Sequence, residues 1–174
     1  LYLDEARLAY ARTAPENNIT LQDLAELCDI FYIGGTKCGA LCGEAVVFTK
    51  KNLVSQFFTI MKQHGALLAK GRILGIQFDT LFTDDLYLHI GKPAITAAHK
   101  IQKELLHLGY RLYFESPTNQ LFVVMENTRM AELAKKVEFS FWEKYDDTHT
   151  VVRFATSWAT NEEDVEKLLN ILTD

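Results

Sequence analysis

No stretch of this chain is apolar for long enough to span a bilayer as a helix, which takes about 20 such residues. There is no excess of basic residues: 18 Lys and Arg against 23 Asp and Glu leave a net charge of −5. That balance gives no electrostatic case for nucleic acid or for an anionic membrane surface. Cysteine is scarce and odd in number. Cys28, Cys38 and Cys42 lie among apolar or small residues, which reads as reduced core thiols in a cytoplasmic protein, not a disulfide framework. No second Cys/His pair stands at ligand spacing from Cys38 and Cys42, so no metal site is expected. His64, His89, His99, His107 and His149 show no ligand spacing either. Repeats and low-complexity segments are absent. The chain opens on Leu1-Tyr2-Leu3-Asp4 with no Met, signal peptide or polar lead-in. A strand-like start of that kind is expected of the C-terminal piece of a longer protein.

What is present is an ordinary globular composition, 48% hydrophobic and 24% charged over 174 residues, enough for one or two domains. Within it, one stretch stands out. Ile30-Phe31-Tyr32-Ile33 reads as a buried strand. It runs into Gly34-Gly35-Thr36-Lys37 and then into small or apolar residues up to a second strand at 45–49. Lys37 is thus a lone ammonium between two strands that look buried. Burial depresses a lysine pKa, and the free amine that results is what bonding to an aldehyde requires. The plainer alternative is a lysine that snorkels to solvent at a hairpin turn.

The remaining elements follow from periodicity and caps. Residues 1–3 end a strand, and a short helix or turn covers 8–12. Thr20 and Asp23 form a capping-box variant ahead of a helix with Leu21, Leu24, Ala25 and Leu27 on its apolar face. A helix is expected over 50–65, with Leu53, Phe57, Ile60 and Met61 on one face, and another over 72–81. A domain boundary is placed near residue 90. Beyond it the pattern is α+β. A helix at 93–108 stops at Gly109, and strands at 110–115 and 120–126 are joined through Ser116-Pro117-Thr118-Asn119. Thr128 caps a short helix, strands follow at 139–144 and 150–155, and Thr160 caps a last helix with Val165, Leu168, Leu169 and Leu172 as its stripe.

Two further charged residues need partners, because burying a charge alone is costly. Asp4 follows the first strand; its partner is either Arg7 or a heteroaromatic nitrogen that must stay protonated. Arg153 sits among apolar neighbours in Val151-Val152-Arg153-Phe154-Ala155. It is either an edge-strand arginine, an arginine paired with an acid of the last helix, or a planar fork for a substrate carboxylate.

Leu3-Asp4-Glu5-Ala6-Arg7-Leu8, Ile33-Gly34-Gly35-Thr36-Lys37-Cys38-Gly39-Ala40, Gly43-Glu44-Ala45-Val46-Val47, Lys70-Gly71-Arg72 and Arg153-Phe154-Ala155-Thr156-Ser157-Trp158 occur in this order. In order and spacing they resemble the threonine aldolase / aromatic amino acid β-eliminating lyase family, fold-type-I enzymes that use pyridoxal 5'-phosphate. The resemblance runs along essentially the whole chain but covers only the C-terminal half of a typical member. It implies an α/β fold: residues 1–90 as the end of a large, mostly parallel cofactor-binding domain, and 91–174 as a small α+β domain. Lys37 would bond the cofactor aldehyde. Asp4 would keep the pyridine nitrogen protonated, as the electron sink requires. Arg7 and Arg153 would clamp the substrate α-carboxylate, while Thr36 and Arg72 would meet the phosphate.

The implied activity is a carbon–carbon lyase that cleaves a threonine-like β-hydroxy-α-amino acid to glycine and an aldehyde, in a cytoplasmic homodimer or homotetramer. β-Elimination or transamination on the same scaffold, and a non-catalytic fragment, stay open. The family has glycine where this chain has Glu5. A carboxylate facing the cofactor ring there would alter specificity; one facing elsewhere would not.

Overall fold

The computed structural model describes residues 1–173, which divide into two compact units, 1–12 with 16–90, and 13–15 with the residues from 91 onward. In the first unit, β1 (Tyr2–Leu3) leads through a turn into α1 (Leu8–Thr13). Next comes α2 (Leu21–Leu27). Its capping box is complete: Thr20 Oγ1 accepts the Asp23 N–H at 3.0 Å, and Asp23 Oδ2 accepts the Thr20 N–H at 2.7 Å. The strands β2 (Ile30–Gly34) and β3 (Glu44–Phe48) follow. The sheet order is β1-β2-β3. β1 and β2 run parallel, whereas β2 and β3 pair antiparallel with Gly34 opposite Glu44. This stretch of sheet is therefore mixed.

The helix expected over 50–65 shrinks to α3 (Phe57–Gln63). Asn52 and Gln56 take left-handed backbone conformations, which break the helix before its first apolar turn. None of its residues is buried, so nothing compensates the cost of extending it. α4 (Arg72–Phe82) and α5 (Leu86–His89) complete the unit.

The second unit holds α6 (Lys92–His107), β4 (Arg111–Leu112), β5 (Gln120–Glu126), α7 (Asn127–Leu133), β6 (Ser140–Lys144), β7 (His149–Ala155) and α8 (Glu162–Thr173). Its antiparallel sheet has the order β4-β5-β7-β6. Strand alternation sends Leu121, Val123, Met125, Val152 and Phe154 to one face. There they pack with Ala98, Ile101 and Leu105 of α6 and with Val165 and Leu172 of α8. The opposite face carries Phe122, Val124 and Val151.

Two caps fall elsewhere than the sequence suggests. α7 has no side-chain cap from Thr128, because the helix has already begun at Asn127. Asn161 rather than Thr160 caps α8: its Oδ1 accepts the Asp164 N–H at 2.8 Å, while Thr160 Oγ1 accepts the Ser157 N–H at 2.9 Å. Among the described residues no helix is long and apolar enough to cross a membrane.

Candidate active site

β1 and β2 are parallel neighbours, so their carboxyl ends lie side by side. That end of an open α/β sheet is where ligands bind. Asp4 comes directly after β1, and Lys37 stands three residues beyond β2. Contact between the two strand ends is close. The Gly34 N–H donates to the Glu5 carbonyl at 3.2 Å. A Cβ on Gly34 would lie 2.2 Å from the Ala6 carbonyl oxygen, a distance no side chain tolerates. The glycine after Ile33 is thus what lets the two segments meet.

Asp4 is exposed, and it accepts a hydrogen bond from the Tyr32 hydroxyl of β2. That bond, with desolvation, pushes the Tyr32 pKa up to about 12. Glu5 turns back on its own loop, its carboxylate accepting the Arg7 N–H at 3.3 Å. Arg7 is half-buried and opens α1, its carbonyl accepting the Tyr10 and Ala11 N–H groups.

Lys37 is exposed, not buried as its apolar frame suggests. The frame closes beneath the turn: Cys38 is fully buried, and burial pushes its thiol up to about 11. The Tyr10 hydroxyl donates to the Lys37 carbonyl. The buried Tyr87 hydroxyl donates to the Gly34 carbonyl at 3.2 Å, and burial raises its pKa as well. Thr36 is exposed, and its hydroxyl donates to Glu44 Oε1 at 3.1 Å.

Arg72 is exposed at the first residue of α4, whose N–H end favours anions. α4 also braces the Lys37 loop. Gln77 Oε1 accepts the N–H groups of Leu41 and Cys42 at 2.5 and 3.3 Å. Phe78 lies so close to Gly35 that an added Cβ would sit 2.8 Å from its ring. Cys42 is exposed, so the expectation of three core thiols holds only for Cys28 and Cys38.

Arg153 lies in the second unit, in the central strand β7 and not at a sheet edge. Its partners are not acids of α8. Nη1 donates to Gln120 Oε1 at 3.1 Å, Nη2 donates to Ser140 Oγ at 3.2 Å, and the guanidinium lies 5.6 Å from the Trp142 ring centre. Its Nε is buried, with no hydrogen-bond partner among the described residues.

Sequence reasoning missed Tyr10, Tyr32, Glu44, Gln77, Tyr87, Gln120 and Trp142 as supports. Only Glu44, opening the second strand of the turn, carried a readable signal.

No family model matches the chain. It is 30% identical over 142 residues to a low specificity L-threonine aldolase of a Pseudomonas species, covering 80% of this chain and 40% of that protein. A threonine aldolase of Leishmania major superposes with a TM-score of 0.94 at 40% identity, over 99% of this chain and 51% of that one. The chain is a homologue of part of a threonine aldolase. A serine palmitoyltransferase from S. paucimobilis, solved with a bound PLP-myriocin aldimine, shares the fold at a TM-score of 0.64 and 13% identity over 98% of this chain and 46% of that one. The chain therefore has the fold-type-I architecture of these structures. It spans about half the length of the proteins it matches.

Proposed function

We propose that this chain supplies the lysine, the aspartate and the carboxylate-binding arginines of a pyridoxal-phosphate-dependent lyase. The lyase would cleave a threonine-like β-hydroxy-α-amino acid to glycine and an aldehyde. The observation that carries this reading is the placement of Asp4 and Lys37 at the adjoining carboxyl ends of two parallel strands, joined to the similarity to threonine aldolases.

The residues present fit the cofactor. Lys37 offers an exposed amine for the cofactor aldehyde. Asp4, oriented by the Tyr32 hydroxyl, offers a carboxylate for the pyridinium nitrogen. Arg72, at a helix entrance, offers a cation for the phosphate. When bound, the protonated ring supplies an electron sink for the carbanion left at Cα.

The chain's own residues bind and orient. Arg7 of the first unit and Arg153 of the second are each candidates to receive the substrate α-carboxylate. The unpartnered Nε of Arg153 supports that role, since a buried N–H without an acceptor costs about 1–3 kcal/mol. Glu5 is turned onto the Arg7 N–H, which supports the ordinary family specificity. The two units correspond in this reading to the end of the large domain and the small domain, and the whole protein works as a homo-oligomer.

The test is Lys37→Ala in the natural full-length protein, expected to abolish the visible absorbance of bound pyridoxal phosphate. Retained absorbance would overturn the assignment. Product analysis of the wild type is expected to give glycine plus aldehyde; pyruvate plus ammonia would point to β-elimination.

A further inference from the structure

The turn that carries Lys37 is held by a carboxylate with no part in the roles above. Glu44 opens β3 directly opposite Gly34, the last residue of β2. Its two oxygens divide between consecutive residues of the turn. Oε2 accepts the Gly35 N–H at 2.7 Å, and Oε1 accepts the Thr36 hydroxyl at 3.1 Å. Lys37 is the next residue. On its far side the Gly35 carbonyl accepts the Cys38 and Ala40 N–H groups at 2.9 and 3.1 Å, and the buried Tyr10 donates to the Lys37 carbonyl itself. The backbone is pinned before, at and after Lys37, while the side chain stays exposed.

The same contacts bear on Thr36. A hydroxyl has one proton to donate, and here it goes to Glu44. A phosphate at Thr36 would have to take that proton and would face a second anion. Glu44 and a phosphate compete for one donor, and Glu44 holds it through a charge-assisted bond.

We propose that Glu44 is a positioning residue for Lys37. It closes the turn from Gly34 to Lys37 so that the amine is presented at the carboxyl ends of β1 and β2. Thr36 serves as its partner in that closure rather than as a phosphate ligand. The proposal rests on the assignment of Lys37 to the cofactor aldehyde.

The test uses the full-length protein freed of cofactor, titrated with pyridoxal phosphate and separately with pyridoxal, which has the aldehyde but no phosphate. Borohydride trapping and peptide mapping then report how much of each probe is bonded to Lys37. Glu44→Ala is expected to lower trapping about tenfold for both probes, the size of a lost charge-assisted hydrogen bond. Glu44→Gln keeps one acceptor oxygen and is expected to restore most of it. Thr36→Val is expected to lower both probes by the same small factor. Melting temperatures identify any variant that fails to fold, and if Glu44→Ala does, Thr36→Val decides.

Wild-type trapping in both Glu44 variants would overturn the proposal. So would a Thr36→Val loss confined to pyridoxal phosphate, which would make Thr36 a phosphate ligand. An adduct that persists in Lys37→Ala would instead overturn the assignment of Lys37 itself.

Discussion

Tyr32 and Asp4 show how a neighbouring strand prepares a charged residue. The Tyr32 hydroxyl donates to the Asp4 carboxylate, and this bond is the largest cause of a tyrosine pKa pushed up to about 12. A raised folded-state pKa means the contact is fully present below the ordinary tyrosine value of about 10 and is lost as pH rises through about 12. Asp4→Asn removes the charge that opposes tyrosinate. Ultraviolet titration of this variant is expected to show the Tyr32 transition moving down toward 10; an unchanged transition would mean that Asp4 does not receive the bond. Arg153 follows the same logic. Gln120, Ser140 and the Trp142 ring hold its guanidinium and leave Nε unfilled. None of these partners adjoins it in sequence. They meet it through the register of β5, β6 and β7, which a sequence does not display.

Among the elements, α6 was the most legible. Its apolar positions recur at helical spacing, and Ala94, Ala97, Ala98, Ile101 and Leu105 are all buried. Leu105 is completely enclosed among the core residues of the second unit. Leu105→Ala is expected to cost about 2–5 kcal/mol, lost transfer free energy plus a cavity, and denaturant unfolding would measure it. The segment over 50–65 is the counterexample. It carries the same kind of apolar spacing, but its chain turns left-handed at Asn52 and Gln56, and only seven residues stay helical. Periodicity names a face that wants burial; whether a surface exists to bury it is decided elsewhere in the fold.

At the scale of the whole molecule, the first unit leaves large apolar side chains exposed, among them Leu41, Phe58, Leu68, Ile73 and Ile76. Large contiguous apolar surfaces mark sites of contact with other protein. The chain expressed alone is accordingly expected to bind a hydrophobic dye strongly, and the full-length protein only weakly; equal dye fluorescence from the two would show that this surface is not covered in the longer protein. The order of the elements, the Thr20 capping box and the spacing from Asp4 to Lys37 were all determined by the sequence, because strand alternation, helix caps and glycine turns are local. The resemblance to threonine aldolases lay in the same linear spacing. Only the tertiary structure decided that Lys37 is exposed, that Glu44 rather than open solvent receives Thr36, that Tyr32 holds Asp4, and that β7 is a central strand. These are contacts between residues distant along the chain. Their partners are chosen by sheet register and packing, which no local pattern encodes.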